Sequence, residues 1–311
     1  MTIPLAISDT ALAGADLPAV VQQVKRSGFD GLEIRGVAHG RMFGSHRLLA
    51  DPGRTHRALE DAGLRVAALL ADVVLCDGRG RVNAGARETL HGHLITAAEL
   101  GAPVLCVRPT ARRLPLHRLP EVALAIEGLL ARAGELGVKV VVQNEGGAFG
   151  ARDLWRLGQL LPSRAWGFCW DSQAHCVDTP AIAVPLLGTR LEYVRLRAVG
   201  APLAGAADGQ ATAGINKVAG GAVNRVEGRT ESPVEGSVEG PGPPENLVAR
   251  QFILRLRGIG YGGWISHVPG GETDAATLAM AAALLRQWMN ANRTDHHANV
   301  KGKPTATPAA T

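Results

Sequence analysis

Several features are scarce in this chain of 311 residues, and each scarcity argues against a class of protein. No C-x-x-C spacing occurs among the four cysteines, which argues against a zinc knuckle or a disulfide framework and favours reduced thiols. Lysine occurs only five times, and no dense basic run contains interleaved aromatics, so the net charge of +5 predicts no nucleic-acid partner. No segment approaches the ~20 consecutive apolar residues that a membrane span needs.

The N-terminal segment, MTIPLAISDTALAGADL, also lacks the features of an export signal. It contains no basic region and no long apolar core, and acidic residues come early. A secretory signal peptide needs both the basic region and the apolar core. We therefore predict a cytoplasmic protein without a membrane partner.

What the chain does contain is a repeated strand-then-helix pattern. Short apolar or alternating runs predict strands at 4–8, 28–36, 64–70, 103–107, 138–142, 166–170, 191–199 and 262–268. Helical spacing predicts helices at 17–26, 54–62, 86–100, 116–136, 151–161, 180–187, 248–259 and 274–289. Most of these helices end at a glycine, a common helix stop. Eight such repeats predict a single α/β domain, a (β/α)8 barrel over residues 1–290.

Two segments fall outside this pattern. Residues 200–244 are rich in Gly, Ala, Pro, Ser and Glu and contain few large apolar residues. Such a segment cannot bury enough surface to offset its ordering entropy, which predicts a disordered, low-complexity insertion between strand seven and its helix. Residues 291–311 contain Lys, Pro, Thr and Ala and few large apolar residues, and they are predicted to be a disordered tail.

Polar side chains follow several of the predicted strands. Gln143 and Glu145 follow strand five, and Asp171 follows strand six. Strand two carries Glu33 and Arg35 on one face, and Arg108 ends strand four. Because ligands bind at the carboxyl ends of the strands in parallel barrels, we expect these side chains to face one opening.

The sequence around these strand ends resembles that of a known family. The segments that carry the resemblance are GFDGLEIR, AAELGAPVLCVRP, GVKVVVQNEGG, WGFCWDSQAH, LEYVRLRAV and GYGGWISHV, in that order. They are similar to segments of the xylose isomerase-like TIM barrels, the family of sugar phosphate isomerases and epimerases that also contains endonuclease IV-type DNA repair enzymes. The resemblance extends over residues 4–290 apart from the insertion, and it implies the same barrel fold.

The resemblance also implies one divalent metal, held by Glu, Asp, His and Glu at strands five to eight. The matching positions in this chain are Gln143, Asp171, Arg195 and Val268, so one ligand of four remains in register. A hard cation needs oxygen or imidazole donors, which neither arginine nor valine supplies. The fixed positive charge of an arginine also repels a metal ion.

Three interpretations of these altered positions remain open. In the first, a shifted set of ligands retains a single Mn, Mg, Co or Zn ion. That set is Glu145, Asp171, His175 and His267. It has one weakness: strand residues alternate sides, so His267 points toward the helices if its neighbour Val268 points inward.

In the second interpretation, no metal is needed, because the guanidiniums of Arg195 and Arg197 take over its charge. They would bind an anionic oxygen by bidentate hydrogen bonds. The predicted substrate-binding set is Arg195, Arg197, Gln143, Arg35 and Arg108. The predicted general acid and base come from the set Glu145, Asp171 and Glu33, since proton abstraction beside a carbonyl needs a carboxylate near the carbon. In the third interpretation, Arg195 and Arg197 simply pair with Glu33, Glu145 or Asp171 and fill an inactive site.

The sequence thus predicts a sugar phosphate isomerase- or epimerase-like protein that acts on a small, anionic, polar carbonyl or polyol substrate. A non-catalytic ligand-binding or scaffold barrel is the alternative from another class. A DNA repair endonuclease is a further alternative, but it needs a cluster of His and Glu ligands for several zinc ions, which this sequence does not offer. The sequence does not determine whether the chain forms a homo-oligomer.

Overall fold

The computed structural model is a closed barrel of eight parallel strands in which each strand pairs with the next and β8 pairs with β1. It describes residues 2–12, 14–36, 46–77, 79, 81–110, 113–145, 149–172, 178–197, 245–270 and 273–291. The predicted insertion (200–244) and almost all of the predicted tail (291–311) lie outside these residues. The prediction of a (β/α)8 barrel is confirmed.

The strands are β1 (Leu5–Ser8), β2 (Gly31–Arg35), β3 (Arg65–Cys76), β4 (Val104–Thr110), β5 (Lys139–Gln143), β6 (Trp166–Asp171), β7 (Leu191–Arg197) and β8 (Trp264–Val268). The helices between them are α1 (Leu17–Arg26), α2 (His46–Leu49), α3 (Pro52–Asp61), α4 (Ala84–Glu99), α5 (Leu119–Glu135), α6 (Ala151–Leu160), α7 (Pro180–Leu187), α8 (Glu245–Gly258) and α9 (Ala275–Asn290). Most bounds lie within a few residues of those predicted.

Glycines in the left-handed region end several of the helices. Gly101 after α4 has φ 64°, and Gly137 after α5 has φ 67°. Residues with a Cβ rarely adopt this conformation, which turns the chain from the helix into the next strand. The glycines in the sequence therefore predicted where most of these helices end.

Several elements differ from the sequence prediction; no helix was predicted at α2, for example. Strand β3 continues six residues past the predicted end at Leu70, to Cys76, because buried side chains continue on alternate residues as far as Leu75. Helix α5 begins at Leu119 rather than at Leu116, and a 3₁₀ turn occupies Leu116–Arg118. Pro120 lacks an N–H group and therefore fits the first turn of α5, where that group would have no partner.

The apolar core has two parts, as expected for a barrel. The larger part lies between the strands and the surrounding helices. The smaller part fills the barrel interior and consists of Ala6, Ala67, Ala68, Leu70, Val104, Cys106, Val141, Cys169, Tyr193 and Trp264. Within the described ranges, no helix is both long and apolar enough to cross a membrane.

Candidate active site

A layer of polar side chains lies directly above this interior cluster, toward the carboxyl ends of the strands. Gln143, Asp171 and Arg195 each come two residues after a member of the cluster, and Glu33 belongs to the same layer. Because side chains on a strand alternate between its two faces, a step of two keeps each of them inside the barrel. All four are buried. The structure therefore brings these predicted site residues together, whereas it does not test the roles predicted for them.

Arg195 is the centre of this layer. Its Nε and Nη2 atoms donate to Glu33 Oε2 and Oε1 at 3.0 and 3.1 Å, a bidentate pair. Its Nη1 atom donates to Asp171 Oδ2 and, at 3.4 Å, to Gln143 Oε1. Arg195 is 4% exposed and Glu33 is fully buried. One guanidinium thus bridges two buried carboxylates across the interior of the barrel.

The charge of this arginine is fixed by its partners. Burial alone lowers the pKa of Arg195, but attraction to Glu33 and Asp171 outweighs burial and holds that pKa well above the usual value. Tyr193 completes the environment of Glu33, because its hydroxyl donates to Glu33 Oε2 at 3.0 Å. Burial, and then the charge of Glu33, raise the pKa of Tyr193 well above its ordinary value. The tyrosine therefore remains a neutral donor.

Asp171 is held by partners on both neighbouring strands. Arg197 donates from Nε to Asp171 Oδ1 and from Nη2 to Oδ2, both at 3.1 Å. At the end of β5, Asn144 donates to the backbone carbonyl of Asp171 at 2.9 Å and accepts from its N–H at 2.6 Å. Arg197 is 33% exposed, so it marks the outer edge of this ion-pair network.

A second ion pair lies at the ends of β4 and β5. Arg108 donates from Nε and Nη2 to Glu145 Oε2 and Oε1 at 2.7 and 2.8 Å. Glu145 therefore pairs with Arg108 and not with Arg195. The sequence alone did not determine which arginine Glu145 would pair with. Glu145 and Arg108 are 23% and 30% exposed, in contrast to the buried Arg195 network. Of the three carboxylates predicted as acid or base, Glu145 is the one that solvent reaches most readily.

A third pair, at the ends of β1 and β2, includes a residue that the sequence had not singled out. Asp9 is 3% exposed, and its Oδ2 atom accepts a hydrogen bond from the backbone N–H of Arg35 at 3.0 Å. The predicted site residue Arg35 also places Nε 3.5 Å from Asp9 Oδ1. The signal in the sequence was available: Asp9 directly follows β1, at the same edge as the other candidates.

The shifted metal ligands do not come together in the described residues. His267 stacks on Phe29 between the barrel and the helices, at a ring separation of 6.2 Å, so it points away from Asp171 as strand alternation predicted. Burial lowers the pKa of His267 to about 4. His175 lies outside the described residues.

The burial of His267 has a measurable consequence for stability. An imidazole that prefers to stay neutral in the folded state leaves stability intact above its unfolded pKa of about 6.5, and stability is lost as the pH falls from there toward 4. Between pH 7 and pH 5 this one group removes about 2 kcal/mol. We expect His267→Leu to abolish that loss in urea unfolding. Parallel stability losses in the wild type and the variant would contradict the assignment.

Asp9 changes the stability with pH in the opposite direction to His267, so the two contributions have to be separated. Burial raises the pKa of Asp9 to about 7 from 3.8, so ionising this carboxyl as the pH rises costs folded-state stability over the same window. A pH profile of the wild type alone would mix the two effects. The difference between the wild type and His267→Leu isolates the histidine.

The residues present do not fit the divalent metal that the family resemblance implies. Asp171 and the amide oxygen of Gln143 are the only suitable donors at the four matching positions, and both hydrogen-bond within the network around Arg195. Val268 is buried and pairs in register with Arg197 on β7. Across the described part of the chain, no group of three or more His, Cys, Asp or Glu side chains is arranged to hold a metal ion. The Arg195 guanidinium lies beside both donors, and its positive charge would repel a metal ion at this position.

The architecture is that of barrels that carry their active sites at the carboxyl ends of the strands, which is where these charged side chains lie. The sequence profile of the xylose isomerase-like TIM barrels matches residues 21–288. The chain therefore belongs to that family. No curated protein matches its sequence.

Solved structures share the fold over almost the whole chain. An L-ribulose 3-epimerase superposes with a TM-score of 0.66 at 14% identity, over 97% of this chain and 100% of the other. A 3-keto-D-glucoside 4-epimerase from E. coli gives 0.62 at 17% identity, over 92% and 100%. A xylose isomerase domain protein from Planctomyces limnophilus gives 0.58 at 17%, over 92% and 97%. At these identities the likeness establishes the fold alone.

Proposed function

We propose that this protein is a sugar isomerase or epimerase that works without a resident divalent metal, on a small anionic carbonyl or polyol substrate in the mouth of the barrel. The observation that carries the proposal is the buried guanidinium of Arg195 between Glu33 and Asp171. It puts a permanent positive charge where relatives in this family are expected to bind a cation. The epimerases that share the fold support the class of reaction.

Arg195 itself is too buried to be the main substrate contact. We assign that contact to Arg108 and Arg197, which are partly exposed and lie on either side of the β5 and β6 strand ends. Their positive charge would stabilise an enediolate oxygen as it forms. Arg195 then has a supporting role, because it fixes Glu33 and Asp171, and through Asp171 also fixes Arg197.

Glu145 is the proposed base. It would remove a proton from the carbon beside the substrate carbonyl, and the electron pair of the C–H bond would form a C=C bond while the π pair of the carbonyl moves onto its oxygen, which gives the enediolate. Because solvent reaches the partly exposed Glu145, the proton on its carboxyl would exchange with water before a proton is returned to carbon. A proton delivered by Glu145 to the former carbonyl carbon, together with transfer of the neighbouring hydroxyl proton to the former carbonyl oxygen, gives isomerisation. A proton delivered to the opposite face of the original carbon gives epimerisation and needs a second proton carrier.

Proton exchange in heavy water tests the proposal. Protein treated with a chelator is incubated in D2O with ketoses, sugar acids and sugar phosphates, and deuterium incorporation at the carbon beside the carbonyl is followed by NMR. We expect incorporation into at least one anionic compound, unchanged by the chelator. Incorporation that disappears with the chelator and returns with a divalent metal would contradict the metal-free site.

One observation favours a second candidate, a non-catalytic ligand-binding barrel. Glu33 pairs with Arg195, and Asp171 pairs with both Arg195 and Arg197, which is the arrangement that the third interpretation predicted for an inactive site. Glu145 is also paired, but with Arg108. Thermal-shift measurements with the same compounds separate the two functions. Stabilisation by a ligand that shows no deuterium incorporation would favour the binding protein, whereas stabilisation together with incorporation would favour the enzyme.

A further inference from the structure

The pair formed by Arg35 and Asp9 differs from the other ion pairs of the barrel mouth. Arg35 Nε and Asp9 Oδ1 are 3.5 Å apart, and neither atom hydrogen-bonds to any described residue although both are buried. Arg108 and Glu145, by contrast, form two hydrogen bonds at 2.7 and 2.8 Å. The guanidinium of Arg35 is therefore the least committed of those at the strand ends.

Arg35 lies at the opening of the barrel. It comes two residues after the inward-facing Glu33, at the last position of β2, so it lies on the inner face at the rim. Its side chain is 36% exposed although Nε is buried, so solvent reaches part of this side chain. The side chain of Asp9 is 2% exposed. The pair therefore combines a partly exposed arginine with a buried carboxyl.

The neighbours of Asp9 leave its Oδ1 atom without a strong donor. Burial is the largest influence on the pKa of Asp9 and raises it to about 7. Among the charged neighbours, Arg35 on β2 and Arg195 on β7 lower this pKa, whereas Glu33 on β2 raises it. The hydroxyls of Ser8 on β1 and Ser266 on β8 are buried and have no hydrogen-bond partner among the described residues. His267 on β8 faces the helices instead.

We propose that Arg35 binds an oxyanion group of the ligand and that Asp9 takes up a proton when this happens. The inference rests on the proposed function, since it assumes an anionic ligand in the barrel mouth. When Asp9 is ionised, one guanidinium has to balance both the carboxylate and the ligand, and the two anions repel each other. When Asp9 is protonated, the guanidinium serves the ligand alone. The oxyanion is either a phosphoryl group or a sugar carboxylate.

The coupling predicts how affinity depends on pH. Because the pKa of Asp9 is about 7, this carboxyl is mostly protonated at pH 6 and mostly ionised at pH 8. If only the protonated form accepts the oxyanion, affinity falls by up to about tenfold between pH 6 and pH 8. Binding at pH 7 then takes up about half a proton per ligand.

Calorimetric titration tests this directly. Sulfate, which stands for a phosphoryl group, and D-gluconate, which carries a carboxylate, are titrated into the full-length protein at pH 6, 7 and 8, because neither probe titrates in this range. Each titration is repeated in two buffers of different ionisation enthalpy, which yields the number of protons taken up. Stronger binding of sulfate indicates a phosphorylated ligand, whereas stronger binding of D-gluconate indicates a sugar acid.

Two variants separate the contributions. In Asp9→Asn, a neutral side chain of the same shape, we expect binding that is independent of pH and free of proton uptake. In Arg35→Gln, we expect affinity to fall at least fivefold at pH 6, with no proton uptake. Wild-type binding without proton uptake would overturn this inference and leave the proposed function intact. If neither probe binds the wild type, both this inference and the anionic-substrate part of the proposed function are wrong.

A measurement without ligand checks the coupling independently. Infrared difference spectra of the carboxyl band, wild type minus Asp9→Asn, follow the protonation of Asp9 alone. We expect a midpoint near pH 7 in the wild type and a higher midpoint in Arg35→Gln, since the charge of Arg35 lowers the pKa of Asp9. An unchanged midpoint in Arg35→Gln would overturn the coupling.

Discussion

Replacing Arg195 by methionine should destabilise the protein by about 3–5 kcal/mol, because it leaves Glu33 buried without a counter-charge. Asp171 would keep Arg197 as a partner, so most of the loss should come from Glu33. Urea unfolding followed by far-UV circular dichroism measures the change. The loss is a large part of the total stability of an ordinary domain.

Removing both charges should restore most of this stability. We expect the double variant Arg195→Met with Glu33→Gln to recover more than half of the loss, because a buried pair replaced on both sides leaves no uncompensated charge. The matched control is Arg132→Met, which removes an exposed pair with Glu135 on helix α5 and should cost less than about 1 kcal/mol. An Arg195→Met variant no less stable than this control would show that the buried network contributes little.

Replacing Glu145 by glutamine should reduce deuterium exchange into the substrate by about 10²- to 10⁴-fold, since glutamine cannot accept the proton. The fold should tolerate the change, because Glu145 is partly exposed and glutamine keeps the same shape. The loss should therefore appear in kcat with little change in unfolding free energy. This separates a base from a residue that merely supports the structure.

Glu135→Gln is the control for this experiment. Glu135 is the last residue of α5, at the end of the helix that leads into β5 and so at the opposite end of the barrel from the mouth, and its side chain is 63% exposed. We expect exchange at the wild-type rate in this variant. If Glu145→Gln also exchanges at that rate while the wild type is active, the proposed base is wrong, and Asp171 becomes the next carboxylate to test.

The fold could be predicted because its signals are local. Alternating or apolar runs indicate strands, helical spacing indicates helices, and glycines such as Gly101 and Gly137 mark the turns between them. Strand β3 was predicted too short because Asp72 interrupts an apolar run that the structure continues to Cys76. A local pattern cannot show that such an interruption lies within a strand.

The pairing of charges in the site could be predicted only in part. Alternation placed Glu33, Arg195 and Arg197 on inner faces and turned His267 outward, and the structure agrees. Which carboxylate meets which arginine depends on how the chain continues after the strands stop pairing. The β4–β5 ladder ends at Val107 and Val142, and Glu145 lies beyond it, so the sequence pattern could not pair Glu145 with Arg108.

The importance of Asp9 escaped the sequence for a related reason. A single aspartate after a strand has an ordinary pKa unless burial changes it, and burial is a property of the closed barrel. Tyr193 was missed as well, although it lies two residues before Arg195 on the same face and donates to the same carboxylate. Both residues could have been proposed from alternation once the barrel was assumed.

The most direct test of the central claim is the metal content of the wild-type protein, purified without chelators and measured by plasma mass spectrometry. If the Arg195 guanidinium has replaced the cation, the protein should contain well below one equivalent of Mn, Mg, Co and Zn together, and incubation with each ion followed by dialysis should add none. About one equivalent of a divalent ion that survives dialysis would contradict the account.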